Sequence, residues 1–214
     1  MKFSTCCAMA DSYRFFPGKS NAPVLLLLHG TGGTENDLLE LGRSLHPDAA
    51  LLSPRGKVLE NGMPRFFRRL AEGIFDEPDL IFRTNELADF VLAKREEYQL
   101  GARPIVAVGY SNGANIAASL FLLRPEILAG AILLRAMVPL QPATLPDITH
   151  TPIFLAGGKR DPIIPPENTQ RLAEMLGLAG ANVEMHWTDG GHELHSPEIA
   201  AAKSWLATHF PISL

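Results

Sequence analysis

Short apolar runs alternate with longer helix-like segments from residue 24 onward, and this alternation constrains the fold more than any other feature. Each run is brief, rich in Val, Ile or Leu, and bounded by Gly or Pro, which is typical of strands buried on both faces. The pattern predicts an α/β fold with a mostly parallel central sheet and helices on both faces. The predicted strands are Val24–Leu28, Ala50–Ser53, Ile105–Gly109, Ala131–Leu134, Ile153–Ala156 and Val183–Trp187, with a further candidate at Tyr13–Phe16.

The helix patterns between these strands have recognisable ends. Thr84 or Asn85 is the candidate cap of a helix that stops at Gly101. The other predicted helices are Asn112–Leu123, one that opens at Pro165 and Pro166 and stops near Gly180, and one that begins at Ser196. No repeat, linker or low-complexity segment interrupts the order, so we expect a single domain over residues 1–214, with residues 1–12 poorly ordered.

Composition narrows the class of protein. A chain of 214 residues suits one α/β domain, and a net charge of −4 gives no electrostatic footprint for nucleic acid or an anionic membrane. The adjacent Cys6 and Cys7 cannot close a useful loop, which fits a reducing compartment. The longest aliphatic run, at Val24–Leu28, is far shorter than a membrane span. We therefore expect a cytoplasmic protein without membrane insertion.

The stretch Gly109–Gly113 reads Gly-Tyr-Ser-Asn-Gly and fits the pattern G-x-S-x-G. It follows a predicted strand and opens a helix, as a nucleophile elbow does, where small residues permit a strained turn that exposes a serine hydroxyl. In an open parallel sheet, ligands bind beyond the carboxyl ends of the strands, which is where Ser111 lies. Ser111 is therefore the candidate nucleophile.

A serine hydroxyl needs a base to take its proton, and the chain has seven histidines. His192 follows the last predicted strand on a glycine-rich loop and is the candidate base. His195 is its close competitor, whereas His29 precedes the serine and breaks the chain order Ser…Asp…His of this type of site.

The base needs a carboxylate that fixes its tautomer. Asp161 lies just past a predicted strand, between the serine and the histidine, and completes that order. Asp147, in a proline-rich loop, and Asp189, which we interpret as shaping the turn before His192, are the alternatives.

The stretch LHGTGGTEND follows the strand Val24–Leu28. Its glycines let the backbone approach a substrate, so the N–H of Thr31 is predicted to pair with that of Asn112 as an oxyanion hole. The same stretch also reads as a turn that caps a helix through Asn36 or Asp37, and both readings can hold. It lacks the G-K-[ST] of a phosphate loop, and His192 and His195 are three rather than four apart. No cofactor or metal is expected.

With these residues in hand, the chain resembles the α/β-hydrolase superfamily, specifically the phospholipase/carboxylesterase family, from about Tyr13 onward. The motifs are LLLHGTGG, SPRG…ENGMPRFFRR, GYSNGANIA, GGKRDPIIP and DGGHEL. It is similar to small bacterial carboxylesterases, some of them encoded beside hydroquinone-type dioxygenases. The resemblance implies Ser111 as nucleophile, Asp161 as acid and His192 as base. Thioesterases and lysophospholipases of this family usually have Gln where this chain has Asn112.

The segment Arg135–Thr151 stands where related folds insert a cap domain, and its prolines predict a loop. An open site without a cap favours short esters. Met137, Ile163 and Leu194 are the candidate apolar wall, although each fits the core equally well.

Several residues of the segment after the third strand have two readings. Arg55 either meets an acidic substrate or pairs with Glu60. Arg65, Arg68 and Arg69 are interpreted as a solvated helix face, and Phe66 and Phe67 as packing residues.

Together these features predict a serine carboxylesterase that acts on short-chain or small aromatic carboxylic esters. A thioesterase or lysophospholipase, an acyltransferase and a non-catalytic binding protein of the same fold are the alternatives. The expected partner is a small-molecule ester. A homodimer is one assembly compatible with the sequence, which does not determine the oligomeric state.

Overall fold

The computed structural model of the chain describes residues 12–211. The expectation that residues 1–12 are poorly ordered therefore concerns, except for Ser12, residues outside the described range. The expectation for Cys6 and Cys7 also lies outside that range. The strands are β1 Tyr13–Phe16, β2 Val24–Leu28, β3 Ala50–Pro54, β4 Val58–Glu60, β5 Met63–Arg65, β6 Arg69–Ala71, β7 Ile74–Phe75, β8 Ile105–Tyr110, β9 Gly130–Leu134, β10 Pro152–Gly158 and β11 Asn182–Thr188. The helices are α1 Leu39–Leu45, α2 Glu77–Glu97, α3 Asn112–Leu123, α4 Pro166–Leu178 and α5 Ser196–His209.

A seven-stranded sheet in the order β1-β3-β2-β8-β9-β10-β11 forms the centre of the molecule. Strand β1 pairs antiparallel with β3, and the other neighbours in the sheet run parallel. All the predicted strands are confirmed. Apolar runs such as Val24–Leu28 are buried on both faces of the parallel sheet, whereas the edge strands β1 and β11 contain no fully buried residue. The prediction of a mostly parallel sheet is also confirmed.

Helices cover both faces of this sheet, and the side chains of β2 point alternately toward one face and the other. Leu26 and Leu28 belong to a core cluster with apolar residues of α2, α3 and α4. Leu25 and Leu27 point the other way, into a cluster with residues of α1 and α5. Successive side chains of a strand face opposite sides, so one strand contributes to both cores.

The predicted start of the helix at Thr84 or Asn85 is wrong. Helix α2 begins at Glu77, and the Asp76 side chain caps it by accepting a hydrogen bond from the N–H of Asp79 at 3.2 Å. The Thr84 hydroxyl instead donates to the carbonyl of Leu80 inside the helix. A proline in the first turn, Pro78, is compatible with this earlier start.

Two small antiparallel hairpins follow β3 and were not predicted. Strands β4 and β5 form the first, and β6 and β7 form the second. Their strands have two or three residues each, which is too short for a period to be recognised. The interpretation of Arg65, Arg68 and Arg69 as a helix face is therefore wrong, because they lie on and between these hairpins.

The segment Arg135–Thr151 contains neither helix nor strand, so the prediction of a loop in place of a cap is confirmed. Among the described residues, no helix combines the length and the apolar character needed to cross a membrane.

The first turn of α3 lies directly on the end of β2. A Cβ atom added at Gly113 would overlap the carbonyl oxygen of Leu28 and lie 2.6 Å from that of His29. Both obstacles are backbone atoms of a buried strand and its exit, so they cannot move aside as a flexible side chain would. Gly113 is therefore required by close backbone packing.

We expect Gly113→Ala to lower the free energy of unfolding by about 3 kcal/mol, the upper end of overpacking costs. Gly177→Ala is the matched control, because Gly177 lies in α4 and nothing stands within 4 Å of its added Cβ. That change should raise the free energy of unfolding by about 0.5 kcal/mol through helix propensity. Urea unfolding of both variants tests this, and equal stabilities would contradict the packing argument.

Candidate active site

A cleft of about 320 Å³ opens at the carboxyl ends of the central strands. Ser111 and His192 line it, together with Thr31 and Asn112. Strand ends are where the topology of a parallel sheet brings residues from separate segments together. The structure thus gathers the main candidates of the sequence analysis at one site.

Ser111 occupies the turn between β8 and α3 with φ 52° and ψ −115°. L-residues rarely adopt such a backbone, which costs on the order of 1–3 kcal/mol. The turn is held because the Ser111 N–H donates to the carbonyl of Leu134 on β9 at 2.9 Å. This is the strained strand–helix elbow that the G-x-S-x-G pattern predicts.

A chain of hydrogen bonds connects the serine to the aspartate. His192 Nε2 lies 2.9 Å from Ser111 Oγ, and His192 Nδ1 lies 2.7 Å from Asp161 Oδ2. Because a carboxylate only accepts, Nδ1 carries the proton and Nε2 is free to accept from the serine hydroxyl. The three side chains are thus arranged for proton transfer from Ser111 to His192.

Asp161 is held by its own turn. Its second oxygen, Oδ1, accepts from the N–H groups of Ile163 at 2.8 Å and Ile164 at 3.0 Å. The side chain is only 1% exposed, so both oxygens are fixed in a buried setting. The carboxylate therefore points at His192 without competing rotamers.

The competing histidines have other contacts. His195 caps α5 and contacts Glu193 through Nε2 at 3.1 Å. His29 is buried, with Nδ1 donating to the carbonyl of Gly30 at 2.6 Å and Nε2 accepting from the N–H of Gly56 at 3.0 Å. Burial lowers the pKa of His29, which keeps it neutral as these bonds require. It joins the exits of β2 and β3 and does not contact the serine.

The competing carboxylates also lie elsewhere. Asp189 is exposed and forms an ion pair with Lys159 at 2.9 Å. Asp147 accepts from the N–H of Thr149, two residues further along the chain. Asp161 is the carboxylate that the structure places on His192.

A short hairpin segment joins the two residues predicted for the oxyanion hole. Arg65 Nη1 donates to Thr31 Oγ1 at 2.6 Å, and the N–H of Phe66 donates to Asn112 Oδ1 at 2.7 Å. The N–H of Gly32 also donates to the carbonyl of Pro64 at 2.9 Å. Asn112 begins α3, so its own N–H has no intrahelical acceptor and is free to face the cleft. Residues 64–66 therefore fix the spacing between Thr31 and Asn112.

Arg65 is buried, contrary to the interpretation as a solvated face. Its Nε donates to the carbonyl of Phe67 and its Nη1 lies 3.3 Å from Glu60 Oε2. Burial lowers the pKa of Arg65, the neighbouring Arg69 lowers it further, and Glu60 opposes both. Phe66 and Phe67 are buried packing residues, as predicted.

Arg55 does not pair with Glu60, so that reading is wrong. Its guanidinium contacts Glu35, with Nε 2.5 Å from Oε2 and Nη2 3.0 Å from Oε1. Burial opposes the charge of Glu35, but hydrogen bonds from Arg55 and the backbone, together with the charges of Arg55 and Arg14, outweigh it, so the pKa of Glu35 lies below its usual value. Arg55 is not among the residues that line the cleft.

The apolar wall is partly as expected. Met137 and Ile163 line the cleft, and so do Ile164 and Phe75, which the sequence analysis did not name. The prediction for Leu194 is wrong, because Leu194 packs against the core cluster under α1 and α5.

A buried ion pair that the sequence analysis missed holds the His192 loop. Arg135 and Glu198 are both 0% exposed and are joined at 2.6 Å. Arg135 also donates to the carbonyls of Gly191 and Glu193, on either side of His192. One feature of the sequence indicates this pair: a charged residue, Arg135, directly follows the fully apolar strand β9.

Tyr110 adds a third anchor to the same loop. Its hydroxyl donates to the carbonyl of His192 at 3.0 Å. Burial raises the pKa of Tyr110, so the hydroxyl keeps its proton and remains a donor. Three consecutive carbonyls around His192 are therefore bound by side chains of β8 and of the turn after β9.

No group of three or more His, Cys, Asp or Glu side chains suited to a metal ion occurs within residues 12–211.

The sheet order, the elbow after β8 and the chain order of the three linked side chains define the α/β-hydrolase fold. Comparison with known proteins narrows this class. A family model described as Phospholipase/Carboxylesterase matches residues 15–210, and the chain belongs to that family.

Individual relatives agree with the assignment. The chain is 53% identical to MhqD of Bacillus subtilis (strain 168), whose name classes it as a hydrolase, over 182 residues that cover 85% of this chain and 91% of MhqD. The crystal structure of a Bacillus cereus carboxylesterase is 50% identical, with a TM-score of 0.90 and coverage of 92% and 93%. A carboxylesterase from Mesorhizobium loti is 31% identical, with a TM-score of 0.85 and coverage of 91% and 93%.

We expect Arg135→Met to lower the free energy of unfolding by about 3–5 kcal/mol, because Glu198 would remain as an unpaired buried charge. Lys159→Met is the matched control, since it breaks an ion pair whose partners are both exposed and should change stability little. Denaturant unfolding with both proteins checks this. A small effect at Arg135 would show that the buried pair does not hold the fold.

Proposed function

We propose that this chain is a serine carboxylesterase that hydrolyses short-chain or small aromatic carboxylic esters. The observation that carries the proposal is the hydrogen-bonded chain from Ser111 through His192 to Asp161. Membership of a family of hydrolases that includes carboxylesterases supports the reaction class. No cofactor is required for the steps that follow.

In acylation, Ser111 Oγ attacks the ester carbonyl while His192 Nε2 takes the hydroxyl proton. Asp161 accepts from Nδ1 and stabilises the imidazolium that forms. The same proton then passes from Nε2 to the leaving alcohol, which departs as the tetrahedral intermediate collapses to an acyl-enzyme.

The developing oxyanion is assigned to the N–H groups of Thr31 and Asn112. Such donors are effective because they are fixed before the reaction. The segment Pro64–Phe66 supports this arrangement, since it forms hydrogen bonds with Thr31 and Gly32 on one side and with Asn112 on the other. In deacylation, water gives a proton to His192 and attacks the acyl carbonyl. The carboxylic acid product is released, and the proton on His192 returns to Ser111 Oγ.

The size of the cleft supports small substrates. Its volume of about 320 Å³ is at the lower end of ligand sites. The loop Arg135–Thr151 provides no cap that would shield a long acyl chain. Met137 and Ile163, with Ile164, supply an apolar surface for a short acyl or aromatic group.

The first test is turnover of p-nitrophenyl esters of increasing acyl length. We expect the acetate or butyrate to have the highest kcat/KM and Ser111→Ala to lower kcat at least about a thousandfold. Ser204→Ala, on the exposed face of α5, is the matched control. A fluorophosphonate should label the parent and not Ser111→Ala. Full turnover in Ser111→Ala would disprove the nucleophile, and a parent that is neither active nor labelled would favour the binding-protein alternative.

The second test concerns the acid. Asp161→Asn is nearly isosteric and should lower kcat by about ten-thousandfold, because an amide in this position favours the wrong tautomer of His192. Asp189→Asn, whose carboxylate contacts only the exposed Lys159 in the described structure, should leave kcat unchanged. The reverse result would assign the role to Asp189. Adding an alcohol acceptor to the same assay distinguishes acyl transfer from hydrolysis.

A further inference from the structure

Two arginines line the same cleft as Ser111, and the proposed ester hydrolysis does not use their charge. Arg65 ends β5 and Arg69 begins β6, so both belong to the hairpin segments that border the cleft. A neutral short ester needs an apolar surface and an oxyanion hole. Partly buried cations in so small a space point to a charged group on the substrate.

In the described part of the chain, the two arginines have one carboxylate within ion-pair distance. Glu60 serves both arginines, with Oε1 2.8 Å from Arg69 Nε and Oε2 3.3 Å from Arg65 Nη1. Two guanidinium groups share one carboxylate, so this trio carries one net positive charge. Glu72, also in the cleft lining, adds a negative charge, but it is exposed and forms no ion pair with either arginine within the described residues, so it leaves their donors unoccupied.

The two arginines differ in how their donors are occupied. Arg65 is buried, donates through Nε to the carbonyl of Phe67, and uses Nη1 for both Thr31 and Glu60. Arg69 contacts Glu60 through Nε alone, and its two terminal nitrogens have no hydrogen-bond partner in residues 12–211. Its side chain is 27% exposed. The unused pair of donors on Arg69 matches the two oxygens of a carboxylate.

We propose that Arg69, supported by the charge of Arg65, binds a carboxylate on the substrate, and that the preferred esters are small and acidic. The class comprises half-esters of short dicarboxylic acids and acyl esters of hydroxybenzoic acids. This inference rests on the proposed esterase function and specifies its substrate. Within a cleft partly shielded from water, such a pair is stronger than on an open surface.

The test compares acidic and neutral esters of similar shape, with the uncatalysed rate of each ester subtracted. On the acyl side, p-nitrophenyl hemisuccinate is matched with p-nitrophenyl 4-methylpentanoate, which replaces the carboxylate with an isopropyl group. On the alcohol side, 4-acetoxybenzoate is matched with 4-acetoxybenzamide. We expect kcat/KM for the acidic member of at least one pair to exceed that of its neutral partner by about tenfold or more, the usual effect of a charge-assisted hydrogen bond. The favoured pair identifies the half of the ester that faces Arg69.

Variants connect the preference to the residue. Arg69→Gln should reduce the ratio of acidic to neutral kcat/KM to near one, mainly through KM, and Arg69→Lys should retain part of it. Arg68→Gln is the matched control, because Arg68 is adjacent in sequence, 61% exposed and paired with Asp76 outside the cleft lining. Thermal unfolding of each variant verifies that the hairpins are intact. Raising the salt concentration should also diminish the ratio in the parent.

The outcomes separate this inference from the function on which it rests. If the parent hydrolyses the neutral esters and shows no preference for either acidic ester, the carboxylate site is disproved and the esterase remains. If Arg69→Gln and Arg68→Gln lower the ratio equally, the preference belongs to the general surface charge and the inference also fails. If no ester of any charge is hydrolysed, the proposed function itself is wrong.

Discussion

The backbone contact between the first turn of α3 and the end of β2 sets the geometry of the whole site. Gly113 lies over the carbonyl of Leu28 with no room for a side chain, so α3 begins closer to the sheet than ordinary helix packing allows. This proximity brings the start of α3, with Asn112, beside the loop that carries Thr31. It also forces the tight turn at Ser111, whose strained backbone is maintained by the bond to Leu134 on β9. The positions of the proposed nucleophile and of the proposed oxyanion donors thus follow from one packing constraint.

The proposed catalytic residues are held in position by other residues that take no part in the proposed reaction. The turn after β10 fixes Asp161, Arg135 with Glu198 fixes the loop of His192, and residues 64–66 fix Thr31 and Asn112. A buried ion pair such as Arg135–Glu198 is weak evidence for stability, because desolvation offsets the attraction. Its value here is geometric, since a site must hold its groups within a fraction of an ångström. Buried charge in this molecule is concentrated where position matters most.

Sequence reasoning succeeded where one segment carries its own signal. Fully apolar runs located the parallel strands, and residues directly after them, Ser111 and Asp161, are those that the fold brings together. It failed where contacts between several segments determine the structure of a residue or its burial. The strands of the two hairpins are too short to show a period, Leu194 is turned to the core by the loop around it, and Arg65 is buried only because Thr31, Phe67 and Glu60 surround it. Charge clusters were read as solvated because the sequence does not show which partners meet in space.

The hairpin segments contain both a residue that supports the proposed oxyanion hole and a residue proposed to bind the substrate. This arrangement determines which substitution can test substrate binding by itself. Arg65 contacts Thr31 directly, so a substitution of Arg65 changes the surroundings of a proposed oxyanion donor and the local charge together. Arg69 lies on the next strand and lines the cleft, and its hydrogen bonds within residues 12–211 go to Glu60 rather than to Thr31 or Asn112. Its charge can be removed while the bonds from Arg65 to Thr31 and from Phe66 to Asn112 persist. A preference for acidic esters that depends on Arg69 would therefore concern substrate binding, separately from the bond cleavage that we propose for Ser111, His192 and Asp161.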